Sequence, residues 1–140
     1  RALVEAVNRD SEPALLRRAL EDPDPAFRYW AVVGLTKNPE STRAANEEIR
    51  RTLADPAPVV RIAAARAAAA HLSHQEALPL LIRELKNENE WVRLHAAIAL
   101  DELGQIARPA RAALQETLGV KDSGYVARVA EHALSQLGAK

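Results

Sequence analysis

Apolar residues recur along this chain at the three- and four-residue spacing of helices, in short runs separated by breaks rich in Asp, Asn and Pro. The clearest run is Asp55 to Leu72, DPAPVVRIAAARAAAAHL, and three other stretches repeat its plan. Each opens with an acidic or amide residue in a turn, has an Arg six positions later, and continues into an Ala-rich apolar segment. Asp22 and Arg28, Asp55 and Arg61, Asn87 and Arg93, and Asp122 and Arg128 keep that interval, and successive Arg residues lie 33, 32 and 35 positions apart. A period in this range, without a strand signal, predicts a helical repeat array.

The breaks divide each unit into two helices. Ala2 to Asn8 reads as the end of a helix belonging to a repeat that begins upstream, and Ser11 is an N-cap followed by Glu12 and Pro13 in the first turn. Ala14 to Leu20 is a first helix. Asp22-Pro23-Asp24-Pro25 ends it, because each proline lacks an N–H and biases its predecessor away from the helical region. Asp24 then caps a second helix from about Ala26 to Thr36, with Pro25 at its first position. Asn38-Pro39-Glu40-Ser41 precedes a helix from Thr42 to Leu53, and Asp55-Pro56-Ala57-Pro58 precedes one from Val59 to Leu72. Ser73-His74-Gln75-Glu76 fits a capping box for a helix with Ala77, Leu78, Leu81, Ile82 and Leu85 on one face. Asn89 caps Trp91 to Leu103, Gly104 is a C-terminal stop, Pro109 to Leu118 is the fourth first helix, and Ser123 caps Tyr125 to Leu137. Counting from Arg, the late apolar position falls at Leu35, Ala68 and Leu100, but the last repeat has Ser135 there and Leu134 one earlier. One residue turns a helix by about 100°, so Arg128 is expected to point away from the direction shared by Arg28, Arg61 and Arg93.

Composition narrows the picture further. The 140 residues suffice for one continuous core. Nineteen basic residues balance nineteen acidic ones, which gives no electrostatic reason to expect nucleic acid or an anionic membrane as partner. No apolar run approaches the roughly 20 residues of a membrane span. Cysteine is absent, which removes disulfides, thiolate catalysis and Cys-based zinc sites but leaves the compartment undecided. Because the chain opens on Arg1 inside a helical pattern, it is expected to be the C-terminal part of a longer chain.

The D-x-x-P-x-V-R-x-x-A-A-x-A-L pattern resembles the HEAT and HEAT-like (PBS-lyase-type) repeats. It is carried by Leu20, Asp22, Pro25, Arg28, Ala31 and Leu35, then by Leu53, Asp55, Pro58, Val60, Arg61, Ala64 and Ala68. In the third repeat Leu85, Val92, Arg93, Ala96, Ala97, Leu100, Leu103 and Gly104 carry it. The resemblance implies an all-α, right-handed α-solenoid of about four stacked antiparallel helix pairs plus one leading half-repeat, with the second helices lining the inner surface and residues 1–140 forming one domain. It also implies a ladder between turn acids and second-helix arginines of neighbouring repeats: Asp22, Arg28, Asp55, Arg61 and Arg93, with Asn87 a neutral substitute. A narrower likeness lies in Asn87 to Leu94, Ala99 to Gly104, Ala107 to Ala110 and Tyr125 to Leu134, which look like the HEAT-type C-terminal extension of some bacterial, notably planctomycete, sulfatases. That likeness implies a non-catalytic tail of a hydrolase, and a periplasmic or secreted location in place of a cytoplasmic one.

Candidate chemistry is sparse. Ser11-Glu12-Pro13-Ala14-Leu15 is superficially similar to the sulfatase C/S-x-P-x-R signature, but Leu15 replaces the required Arg and a cap explains Ser11. His71 and His74 stand three apart, the spacing at which helical residues can share a metal, yet they straddle a helix end with only Glu76 near. His95 and His132 each stand alone among apolar residues, with no carboxylate or nucleophile placed beside them by a motif, and are expected to be hydrogen-bonded at repeat boundaries and not catalytic. The chain is therefore expected to use no cofactor or metal and to be no enzyme in this segment.

The second helices offer a contact surface instead. Trp30, Ala63 and His95 stand two residues after the Arg and Val33, Arg66 and Ile98 five after it, on a face distinct from that of Ala31 and Leu35. Trp30, Val33, Trp91, His95 and Ile98 are the candidate interaction surface. The expected partner is protein, either another domain of the same chain or a separate molecule. A HEAT-like DNA glycosylase would need a basic inner face and a catalytic acid among aromatics, which neutral charge and five aromatic residues do not provide.

Overall fold

The computed structural model describes residues 13–72, 75–121 and 124–138. Every regular element among them is helical. Helix α1 (Pro13–Ala19) pairs with α2 (Pro25–Leu35). Two short helices, α3 (Pro39–Ala44) and α4 (Asn46–Thr52), together make the first arm of the next pair, whose second arm is α5 (Pro58–His71). Helices α6 (Ala77–Glu84) and α7 (Glu90–Leu103) form the third pair. A 3-10 helix (Gly104–Ala110) and α8 (Arg111–Thr117) then lead to α9 (Gly124–Leu137). Helix α2 packs on α5, α5 on α7 and α7 on α9, and every extensive contact joins elements of the same pair or of neighbouring pairs. Pairs that cover one another in a line make an α-solenoid.

Local chemistry explains where the second helices begin. The residue six before the Arg forms an Asx turn in each described repeat. Asp22 Oδ1 accepts from the Asp24 N–H at 2.8 Å, Asp55 Oδ1 from Ala57 at 2.8 Å, and Asn87 Oδ1 from Asn89 at 2.9 Å. A carboxylate and a carboxamide oxygen serve equally for that bond, which is why Asn stands in the third turn. Asp24 and Asn89, in extended conformation, cap α2 and α7 by accepting from Ala26 and Trp91, and Pro25 and Pro58 occupy first-turn positions where a missing N–H costs nothing.

The core repeats with the helices. The seventh residue of each second helix, Ala31, Ala64, Ala96 and Ala130, is wholly buried. Leu35, Ala68 and Leu100 are buried at the eleventh, and Leu134 packs against the same core there. Counted from the helix start, α9 is in step with the others through Val126, Ala130 and Leu134, which leaves Ser135 exposed.

Two expected boundaries are corrected. The helix expected over Thr42 to Leu53 starts earlier, because Asn38 caps it through the Glu40 N–H at 2.8 Å and Pro39 takes the first position. It then breaks at Ala45 (φ −94°, ψ 19°). The buried Thr42 hydroxyl donates to the Leu35 carbonyl at 2.8 Å and ties this arm to the end of α2. The helix expected over Pro109 to Leu118 is instead a 3-10 helix containing Pro109, followed by α8; a mid-helix proline removes an N–H and crowds the preceding turn. Gly104 caps the end of α7 with φ 56°, and the 3-10 helix follows directly. The leading half-repeat, the Ser11, Ser73 and Ser123 caps, His74 and Asp122 lie outside the described residues.

Candidate interaction surface

An arginine stands at the fourth position of α2, α5 and α7 and binds the turn before its own helix. Backward, its Nη1 donates to the two carbonyls that open its own turn: Arg28 to Asp22 and Pro23 at 2.8 and 3.0 Å, Arg61 to Asp55 and Pro56 at 3.1 and 3.3 Å, and Arg93 to Asn87 and Glu88 at 2.7 and 3.0 Å. Forward, Arg28 and Arg61 each meet a carboxylate of the next repeat. Arg28 Nε and Nη2 donate to the two oxygens of Asp55 at 2.7 and 3.0 Å, a bidentate pair with little exposure on either side. Arg61 Nε donates at 2.9 Å to Glu84, and Asn87 takes the second place around that carboxylate, its Nδ2 donating to Glu84 Oε2 at 2.9 Å. Sequence reasoning missed Glu84. Its signal was the pattern Ala77, Leu80, Leu81, Glu84, where a carboxylate closes an otherwise apolar i, i+3, i+4, i+7 face and is buried with it. A further rung, also missed, joins Arg17 of α1 to Glu48 of α4 at 2.9 Å.

Arg128 is placed differently. It stands at the fifth position of α9, one step round the helix from the other three, and its guanidinium lies 5.6 Å from the Tyr125 ring centroid.

These contacts set the charge states. Burial opposes the charge on Glu84, but the hydrogen bonds from Arg61 and Asn87 outweigh it and hold the carboxyl below the usual carboxylate range. The hydrogen bond from Arg17 does the same for Glu48. A folded-state pKa below the unfolded one stabilises the fold at pH above the unfolded value, near 4.3 for Glu, and that contribution fades as pH falls through the folded value. The stability difference between the native chain and Glu84→Gln is therefore expected to be full at pH 6 and to shrink steadily below about pH 4.3. Urea midpoints measured from pH 6 to pH 3 check this; a constant difference would mean that folding does not lower the Glu84 pKa.

The outward surfaces of the two helix layers differ in kind. The first helices expose Arg18, Arg43, Glu47, Arg50, Arg51 and Arg83. On the second helices positions two, six and nine form a single stripe at 100° per residue, which carries Trp30 and Val33 on α2 and Trp91 and Ile98 on α7. Trp91 is 66% exposed and Trp30 48%. Val33, Val59, Ala63, Arg66, His95 and Ile98 enclose a trough of about 250 Å³ along α5, between α2 and α7. Arg66 meets Glu102 across it at 3.1 Å. Of the five candidate surface residues, Val33, His95 and Ile98 share this trough. Trp30 and Trp91 stand outside its lining, Trp30 edge-on to Tyr29 with ring centroids 5.5 Å apart.

His132 is hydrogen-bonded at a repeat boundary. A carboxylate does lie beside it, since Nδ1 is 2.7 Å from Asp101 Oδ1 across the α7–α9 contact, and the motif search missed it because the two residues sit in different repeats. The pair is exposed. Among the described residues no group of three His, Cys, Asp or Glu side chains could hold a metal ion.

The family model for HEAT repeats matches residues 46–135, more than half of the chain. The chain belongs to the HEAT repeat family. No curated protein matches it. The HEAT match runs from the start of α4 through the third pair and most of the fourth, while the α1–α2 pair, outside it, keeps the same turn, arginine and buried alanine. HEAT repeats generally serve as interaction and scaffold modules and are typically non-catalytic. The match gives no support to the narrower likeness to sulfatase extensions or to a glycosylase.

Proposed function

We propose that this HEAT-repeat chain is a non-catalytic interaction module that holds a protein partner on the surface of its second helices. The observation that carries the reading is the contrast between the two layers: charged side chains predominate on the first helices, with Ile106 and Leu118 the exposed apolar residues of the last first arm, whereas Trp30, Trp91 and Ile98 are exposed on the second. Aromatic anchors around an apolar depression are what hot spots are built from. Glu88, Glu90, Asp101 and Glu102, on α7 and the turn before it, make this layer a poor match for phosphate backbones. No helix among the described residues is long and apolar enough to cross a membrane. An accessory role beside a sulfatase-type catalytic domain would use the same surface; it rests on sequence likeness alone, and a C/S-x-P-x-R signature encoded in the same polypeptide is its test.

Selection of peptides from a displayed library on the full chain tests the interaction reading. Selected ligands are expected to lose about tenfold or more in affinity for the Trp91→Ala, Ile98→Ala double variant, as for loss of interface anchors. They should keep their affinity for Arg50→Ala, Arg83→Ala, which alters the first-helix layer. The reverse ranking, or no ligand at all, would overturn the assignment.

A further inference from the structure

The first-helix layer carries a site of a different kind. The whole chain is neutral, with nineteen basic and nineteen acidic residues, but these charges are unevenly spread along that layer. A depression of about 520 Å³ lies between α4 and α6, lined by Arg50, Arg51 and Arg83, with Glu76 the one carboxylate among the described residues around it. The grooves on either side are closer to balance. Between α1 and α4, Arg17, Arg18 and Arg51 stand with Glu21 and Glu48; between α6 and α8, Lys86 and Arg93 stand with Glu88 and Glu116.

The three arginines of the central depression hold no carboxylate by a hydrogen bond. Arg50 Nε stands 3.8 Å from Glu76, and Arg83 Nη2 stands 3.7 Å from a Glu84 oxygen that already accepts from Arg61 at 2.9 Å. Both gaps exceed hydrogen-bond length. Arg51 donates to a backbone carbonyl, that of Glu47, at 3.4 Å. The side chains of Arg50 and Arg83 are 57% and 69% exposed, so their planar forks are open to an incoming oxyanion. Beneath them Leu53 and Leu80, both buried, give the depression an apolar floor.

The neighbouring grooves decide which anion fits. A nucleic-acid strand or a lipid surface extends beyond one depression, and along this layer it would meet Glu21 and Glu48 on one side and Glu88 and Glu116 on the other. A ligand confined to the central depression avoids these carboxylates. The geometry points to a short acidic segment of a partner protein as the occupant, with carboxylates on both sides of one apolar residue. The carboxylates take the guanidinium forks and the apolar side chain rests on Leu53 and Leu80. This site is separate from the second-helix surface and does not depend on it. Its arginines are exposed and screened by salt, so its ligand is held most tightly at low ionic strength.

Capped peptides EELEE, QQLQQ and EEGEE, titrated into the full chain at low ionic strength, test the inference. Fluorescence anisotropy gives affinity, and amide shifts of the labelled chain give location. EELEE is expected to bind about tenfold tighter than QQLQQ, to bind tighter than EEGEE, and to shift Ala54 and Leu80. Its affinity should fall about tenfold in Arg50→Gln, Arg83→Gln, as for the loss of two exposed ion pairs. Arg18→Gln, Arg43→Gln removes the same charge outside the depression and should change it less than about twofold. Glu76→Gln should strengthen binding, because the competing carboxylate is gone, and Trp91→Ala, Ile98→Ala should leave it unchanged. Equal weakening by the two arginine pairs reduces the effect to net charge and overturns the site, as does failure of EELEE to bind; either result leaves the second-helix reading standing. Equal affinity for EELEE and EEGEE overturns the apolar floor. Tighter binding of an oligothymidylate with the same dependence on Arg50 and Arg83 overturns the acidic peptide in favour of nucleic acid.

Discussion

Asp55→Ala is expected to lower the unfolding free energy by about 3 kcal/mol, the lower end of the range for removing one member of a buried ion pair. The Asp55 carboxylate makes three contacts: Arg28 Nε at 2.7 Å, Arg28 Nη2 at 3.0 Å, and the Ala57 N–H at 2.8 Å. Its side chain is 7% exposed and that of Arg28 13%. Truncation leaves the guanidinium with only the Asp22 and Pro23 carbonyls, and water has little access to compensate. Asp55→Asn keeps an acceptor for Ala57, as Asn87 shows in the next turn, and should cost about half as much because only the charge-assisted bonds are weakened. The exposed pair Arg50–Glu76, 3.8 Å apart, is a control expected to contribute less than about 1 kcal/mol. Urea denaturation at pH 7, read at constant m-value, separates these outcomes. A loss below about 0.5 kcal/mol for Asp55→Ala would remove the pair as a brace between repeats.

That pair also shows which parts of the molecule could be read from the chain. The six-residue interval is a local signal: it places an Asx-turn residue and a helical Arg so that the guanidinium returns to the carbonyls of its own turn, and this recurs at Arg28, Arg61 and Arg93. The forward contact depends on how one pair stacks on the next, so nothing near Asn87 announced that Arg61 would meet Glu84 on the preceding helix. The break at Ala45 carries no Gly or Pro, and the Asp101–His132 contact spans two repeats, so both were invisible to spacing. The outward face of the second helices was legible because positions two and five after the Arg obey helical geometry. Which of those side chains converge was not, because the lateral offset between stacked helices decides that Val33, His95 and Ile98 share a trough while Trp30 and Trp91 do not line it.

The register of the last helix has the second large consequence. Leu100→Ala should cost about 3–4 kcal/mol, since Leu100 is 1% exposed at the eleventh position of α7, between its own pair and the next, and a cavity there has neighbours on every side. Leu134 holds the equivalent place in α9 but is only partly buried. Leu134→Ala should therefore cost about 1–2 kcal/mol, and Ser135→Ala less than about 0.5 kcal/mol. Counting from the arginine would rank these differently, because it assigns the core position to Ser135 and leaves Leu134 on the surface. The burial of Val126 and Ala130 argues for counting from the helix start, which also puts Ala127, not Arg128, at the position of Arg93 and leaves Arg128 free to lie over Tyr125. Equal losses for Leu134→Ala and Ser135→Ala would show that α9 is turned about 100° from this packing, and the fourth pair would then need a different seat on the third.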